Sequence, residues 1–249
     1  MKHTAVVEGV IGVGKSTFGH QLAEELLGLF LSEPDEAGNA SCLFYAGGCV
    51  PFEDATSFVN PYLDDYYEDA KATALKMQMH LLGLRARIHE LATSWADCGL
   101  THVVIDRSVY GDIAFAYLQY QLGHLTPAEL TTYRALHLHM MSHIRYPRVC
   151  VLLDIEPQNA LERIHARAAA RPGRRSEKAI TIGYQTRLRE EIEGVVRALE
   201  QHGTHIIRID WNPPRGEEKR KVVARQVAAE IAELNAHHEF ADDRYLRRK

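Results

Sequence analysis

Two spacings of apolar positions alternate along the 249-residue chain. Short apolar runs closed by turn formers or polar residues predict strands in "HTAVVEG", "GLFLSEP", "THVVIDRS", "RVCVLLDI" and "THIIRID". Between them, apolar residues recur at three- and four-residue spacing and predict helices. These are "STFGHQLAEELL", a long stretch from "PYLDDYYEDAKATALK" through "HELATSW", "VYGDIAFAYLQYQLG", "TPAELTTYRALHLHMMSHI", "PQNALERIHARAAA", "EKAITIGYQTRLREEIEGVVRALEQHG" and "EEKRKVVARQVAAEIAEL". Pro61 stands near the start of the long helix, and Thr126, Pro127 and Glu129 form an N-cap, first-turn proline and capping box. Five apolar strands separated by helices predict an α/β three-layer sandwich, a parallel sheet covered on both faces. Residues 35–60 are rich in turn formers without a sustained period and are expected to be an irregular insertion. One domain spans 1–238, and 239–249 is a polar tail.

Ligands of such sheets bind at the carboxyl ends of the strands, so the residues there carry the chemistry. After the first strand, "EGVIGVGKST" places Gly9, then four residues, then Gly14-Lys15-Ser16, between a predicted strand and a predicted helix. This is a phosphate-binding loop of the P-loop NTPase kind. Gly9, Gly12 and Gly14 let the backbone around Val13 curl and aim N–H groups at one point. The helix that starts at Lys15-Ser16-Thr17 adds its unsatisfied N–H groups and the positive end of its dipole. Lys15 suits the outer phosphates, and the Ser16 hydroxyl suits Mg²⁺.

A formal net charge of −4 argues against nonspecific binding to nucleic acid or a membrane surface, so the expected partner is a small phosphorylated molecule. The four cysteines, Cys42, Cys49, Cys98 and Cys150, show no paired spacing and read as reduced thiols. No apolar run has membrane-spanning length, and the N-terminal one breaks at once into the glycine loop, unlike a secretory signal. The expected location is the cytoplasm.

Three polar clusters stand beside the loop in this arrangement: Glu33-Pro34, Asp106-Arg107-Ser108, and the stretch from Arg163 to Arg175. Each has a bland reading. A carboxylate after a strand is often a turn or cap, and Arg163 and Arg167, four apart, fit a solvated helix face. Next to a phosphate loop, the basic stretch reads as a lid, about 163–177, over a transferring phosphoryl group.

The order "GVGKSTF", "SEP", "KMQMHLLGLR", "DRSVYGDIAFA", "LERIHAR" resembles the deoxyribonucleoside kinases, the family of deoxycytidine, deoxyguanosine, deoxyadenosine and insect multisubstrate kinases, from residue 4 to about residue 210. The resemblance implies ATP- and Mg²⁺-dependent phosphorylation of a deoxynucleoside 5′-hydroxyl. It gives Glu33 the role of base toward that hydroxyl and Arg107 the charge beside the 5′-oxygen and the moving phosphoryl. Asp106 is shorter than the glutamate usual in animal members and is expected to reach the hydroxyl or the metal by way of water. Tyr67 matches a tyrosine that holds the 3′-hydroxyl, and Gln78, eleven residues on, the glutamine that pairs with the base. Arg85 and Asp112 match the charged pair of the purine- and cytosine-accepting members; the residues alone also allow an ordinary interhelical salt bridge.

In the lid, Arg163 and Arg167 fit helix arginines. Either Arg171 or Arg174 takes the next role, Arg174 being counted with the phosphate ligands, and Glu177 is expected at the 3′-hydroxyl. Gly38 stands where some members place an aromatic over the base; Phe44, Tyr45 or Phe52 could supply that surface or only anchor the insertion. The family is usually dimeric, and the apolar faces of "ALKMQMHLLGL" and "AFAYLQYQLG" suit either a dimer or the monomer core.

Two other functions fit the loop. A nucleoside monophosphate kinase would need cations near Glu33, and residues 35–60 contain no Lys or Arg. A regulatory ATP- or GTP-binding module would need no acceptor pocket. His139 and His143 share a helical face without an evident third metal ligand.

Overall fold

In the computed structural model, the described residues are 2–32, 42–45, 48–51, 62–170, 180–212 and 216–238. Seven strands form one sheet among them: β1 (Thr4–Glu8), β2 (Leu29–Leu31), β3 (Cys42–Tyr45), β4 (Gly48–Pro51), β5 (Val103–Asp106), β6 (Val149–Asp154) and β7 (His205–Asp210). The order is β4-β3-β2-β5-β1-β6-β7. The five expected strands are mutually parallel, with Val6 opposite Ile105 on one side and Cys150 on the other. β1 and β5 are buried along their whole length because helices cover both faces, which explains their unbroken apolar runs. β7 lies at an edge, and its last four residues alternate buried with exposed.

The sheet continues past β2 through an antiparallel hairpin, with Phe30 opposite Phe44 and Phe44 opposite Cys49. Part of the stretch expected to be irregular is therefore regular. Its two four-residue runs, CLFY and GCVP, lie among turn formers, with Ala46-Gly47 between them and Pro51 closing the second, and are too short to reveal a period.

The helices are α1 (Lys15–Glu25), α2 (Leu63–Glu68), α3 (Ala70–Asp97), α4 (Asp112–Gln121), α5 (Pro127–Met141), α6 (Pro157–Ala170), α7 (Ile182–Gln201) and α8 (Glu217–His238). The long helical stretch divides at Asp69, whose backbone leaves the helical region (φ −142, ψ 87) and whose side chain accepts from the Ala72 N–H at 3.1 Å. An aspartate competes well for such an N-cap, and this break sets α2 apart from α3. At α5 the expected capping box forms: Thr126 Oγ1 accepts from Glu129 N and Glu129 Oε2 from Thr126 N.

α1 packs on α8, α4 packs on α3, α5 and α7, and α6 packs on α7. Phe18, Leu22, Leu82, Leu118, Tyr133, Ile164 and Leu188 join these layers and are fully buried. Each such side chain contributes roughly 1.5–3 kcal/mol relative to exposure. Among the described residues no helix is long and apolar enough to cross a membrane. The carboxyl ends of β1, β5 and β6 lie side by side, and the polar residues gather there.

Candidate active site

β1 ends in Glu8, and the chain turns at once through Gly9, Gly12 and Gly14 at φ +148, +82 and +101. Those values lie where only glycine is unstrained, and at Gly12 a β-carbon would also run into Ile164 of α6. Lys15 folds back under the loop, its Nζ donating to the carbonyls of Gly9 and Val10 at 3.2 Å each. Drawing two carbonyls toward the ammonium turns the peptide units so that N–H groups face the opposite side. Ser16 and Thr17, on the first turn of α1, are exposed beside them.

β5 delivers the second group. Asp106 accepts from the Ser16 hydroxyl at Oδ2, 2.5 Å away, so the first turn of α1 and the end of β5 are tied together. Arg107 follows with φ +68, a left-handed backbone that residues other than glycine rarely adopt, and is 2% exposed. Its guanidinium lies 4.4 Å from the Phe115 ring centroid. Ser108 Oγ accepts from Gly111 N at 2.8 Å, fixing the turn into α4.

The third group is assembled by three helices. Arg85 of α3 forms a salt bridge with Asp112, the first residue of α4, and the two are 5% and 0% exposed. Tyr133 of α5 donates to Asp112 Oδ2 at 2.8 Å. Burial raises the Tyr133 hydroxyl far above the ordinary phenol value, although Arg85 pulls the other way, so it remains a donor. Arg85 also faces the Phe115 ring, at 5.8 Å, so one phenyl group touches both the Arg85 and Arg107 guanidinium groups. Gln78 lies on α3, 1% exposed, and its Oε1 accepts no hydrogen bond among the described residues.

The structure thus brings together Gly9, Gly12, Val13, Gly14, Lys15, Ser16, Thr17 and Asp106, and separately Arg85 with Asp112. Tyr67 falls within α2. Arg163 lies on α6 and donates to the carbonyls of Val13 (3.1 Å), Trp211 (2.8 Å) and Asn212 (3.3 Å), bracing the loop from outside. Arg167 is one turn farther along and half-buried. Glu33, Gly38, Phe52, Arg171, Arg174 and Glu177 lie outside the described residues. His139 and His143 have ring centroids 5.2 Å apart, with no group of three or more His, Cys, Asp or Glu able to hold a metal among the described residues.

Several residues here escape a sequence reading. Trp211 and Arg220 join Gly12, Val13, Gly14, Thr17 and Arg163 around a cavity of about 320 Å³ beside the loop. The only hint was the turn sequence Trp211-Asn212-Pro213 directly after the last strand. Gln185, fully buried on α7, donates to the Ile11 carbonyl at 2.7 Å. Glu8 closes an otherwise apolar strand, which was its one visible signal.

The deoxynucleoside kinase family model matches residues 5–233. The chain belongs to the deoxynucleoside kinase family. It is 29% identical over 153 residues to a deoxyguanosine kinase of Dictyostelium discoideum, a match covering 61% of this chain and about half (52%) of that protein's length. A deoxyguanosine kinase of Lactobacillus johnsonii is 26% identical over 254 residues, covering 96% of this chain and 95% of the relative. The solved structure of deoxyadenosine kinase from M. mycoides with products dCMP and a flexible dCDP bound superposes with a TM-score of 0.67 at 20% identity, covering 94% of this chain and 99% of that one. That likeness establishes the fold, a parallel sheet covered on both faces by helices.

Proposed function

We propose that this kinase transfers the γ-phosphoryl group of ATP to the 5′-hydroxyl of deoxyadenosine, deoxyguanosine or deoxycytidine in preference to thymidine. The observation that carries the preference is the buried set Arg85, Asp112 and Tyr133. Arg85 donates and never accepts, whereas Asp112, already bonded by Tyr133 and Arg85, retains lone pairs for an exocyclic amine. Thymine lacks that amine and brings a methyl group to a charged wall, leaving a buried polar group poorly satisfied at a cost of roughly 1–3 kcal/mol. The names of the relatives, for deoxyguanosine and deoxyadenosine, and the dCMP held by the M. mycoides protein support the same acceptors.

In this reading the phosphate loop holds the donor's phosphates through its N–H groups, with Lys15 supplying charge, Arg163, Arg167 and Arg174 around them, and the cavity beside Trp211 admitting the donor base. Glu33 takes the proton of the 5′-hydroxyl, and Arg107 stabilises the phosphoryl group as it passes. Tyr67 and Glu177 hold the 3′-hydroxyl, and Gln78, with a buried acceptor still available, bonds the base edge. Ser16 and Asp106 fit a Mg²⁺ site, because two hard oxygen ligands meet 2.5 Å apart at the edge of the loop. Bound there, Mg²⁺ would supply positive charge to offset that of the donor's phosphates. A homodimer in the cytoplasm belongs to the same reading; exposed Met79 on α3 and Tyr120 on α4 support a contact through those helices.

Initial rates with ATP and Mg²⁺ on the four deoxynucleosides and their monophosphates test it. Thymidine should show kcat/KM at least about tenfold below the best of the other three, since about 1.4 kcal/mol is a factor of ten. A preference for thymidine would overturn the pocket assignment, and turnover of monophosphates alone would overturn the acceptor.

A further inference from the structure

Glu8 is fully buried between the phosphate loop and the turn that carries Arg107, and neither the loop nor the base pocket uses it. Its Oε1 accepts from the Ser108 N–H at 2.7 Å. Its Oε2 accepts no hydrogen bond among the described residues and faces Arg107 Nη1 at 4.0 Å. Arg107 holds its left-handed backbone by two bonds to β1: its own N–H donates to the Val7 carbonyl at 3.0 Å, and the next N–H, of Ser108, donates to Glu8. Gly111 completes the fit. A β-carbon there would lie 2.6 Å from Glu8 Oε1, so the start of α4 leaves room for this carboxylate and nothing wider.

A buried carboxylate needs a reason to stand where an apolar residue would finish the strand. We infer that Glu8 is a positioning residue for Arg107: one oxygen pins the strained turn and the other fixes the guanidinium against Phe115, pointing it at the phosphoryl path. The inference rests on the role proposed above for Arg107. Because that arginine acts on charge developing during transfer, loss of its aim should lower kcat and leave both KM values nearly alone.

Glu8→Gln keeps the volume and an oxygen for the Ser108 N–H but removes the charge facing Arg107. It should lose at least about tenfold in kcat while KM for nucleoside and ATP stays within about threefold. In a double-mutant cycle, Glu8→Gln should add little to Arg107→Lys, since both act through one guanidinium. An Arg107→Lys enzyme with normal kcat would remove the arginine's role and the inference with it. A slow Arg107→Lys beside a normal Glu8→Gln, or effects that simply multiply, would overturn the inference alone. Should Glu8→Gln fail to fold, Gly111→Ala, at a backbone of φ −68 that alanine accepts, displaces the same carboxylate. It should give the same kcat-only loss, and unchanged kcat there would overturn the inference.

Discussion

At the end proposed to hold the phosphates, the groups come from one short stretch of chain, residues 9–17, whose shape is set by three glycines with positive φ and by Lys15 drawing two carbonyls inward. At the end proposed to hold the base, the polar groups are side chains from α3, α4 and α5, Tyr133 reaching an aspartate 21 residues away across a helix-to-helix contact. The phosphate end presents backbone, which every nucleotide donor meets in the same way. The base end presents a charge pair whose balance depends on every member, which suits discrimination among bases. Phe115, in contact with both Arg85 and Arg107, is where the two ends meet.

The sharpest break of that contrast is Lys15→Ala. It should cost on the order of 10³-fold or more in kcat, the scale of removing a charge that follows the transferring phosphoryl group. The glycines should still shape the loop, so the far-ultraviolet circular dichroism spectrum should match wild type. Turnover near wild type would mean that the loop's backbone alone carries the phosphates.

Asp112→Ala attacks the other end and should show the opposite profile. It takes the carboxylate from a guanidinium that is 5% exposed, and breaking such a buried pair costs about 3–5 kcal/mol of stability. Replacing Arg85 and Asp112 together with apolar residues should cost less than the single change and narrow the gap between thymidine and the other substrates. Urea unfolding of the three proteins gives the comparison; a milder single variant would mark the pair as solvated.

The same contrast explains what the chain made legible. The loop could be read because its requirements are local: fixed glycine spacing, a strand before and a helix after. Arg85 and Asp112 could be named only through resemblance, because their contact is a product of helix packing, and on spacing alone they fit an ordinary salt bridge equally well. Tyr133 was invisible for the same reason, being one more apolar-face position on an amphipathic helix. β1 and β5 showed as apolar runs because both their faces are covered, and β7, half-exposed at the edge, kept enough apolar positions to be read as well. The hairpin of β3 and β4 did not, since its short strands lie in a stretch crowded with turn formers, Ala46-Gly47 between them and Pro51 closing the second. Glu8 broke an apolar strand in plain view, but a strand-end carboxylate has too many ordinary uses to be singled out before its partner Ser108 is seen.

The mildest change, Tyr133→Phe, asks how finely the base end is balanced. Its hydroxyl donates to Asp112 Oδ2 while Arg85 holds the other oxygen, so the carboxylate is fixed from two sides. Removing a hydrogen bond to a charged group costs about 1.5–3 kcal/mol, less than losing Asp112 itself. Selectivity should weaken too, because a carboxylate able to turn no longer presents its lone pairs at one angle. The pH dependence separates this bond from simple loss of packing. Burial raises the folded value of Tyr133 above the ordinary 10.0 of the unfolded chain. Its proton-linked stability is therefore fully present below pH 10.0 and is lost as the pH rises from there toward the raised folded value. Wild type should lose more stability than Tyr133→Phe between about pH 8 and about pH 10.5, read as the shift in urea midpoint. Equal losses in the two proteins would show that the hydroxyl is not held as a buried donor and that Asp112 is oriented by Arg85 alone.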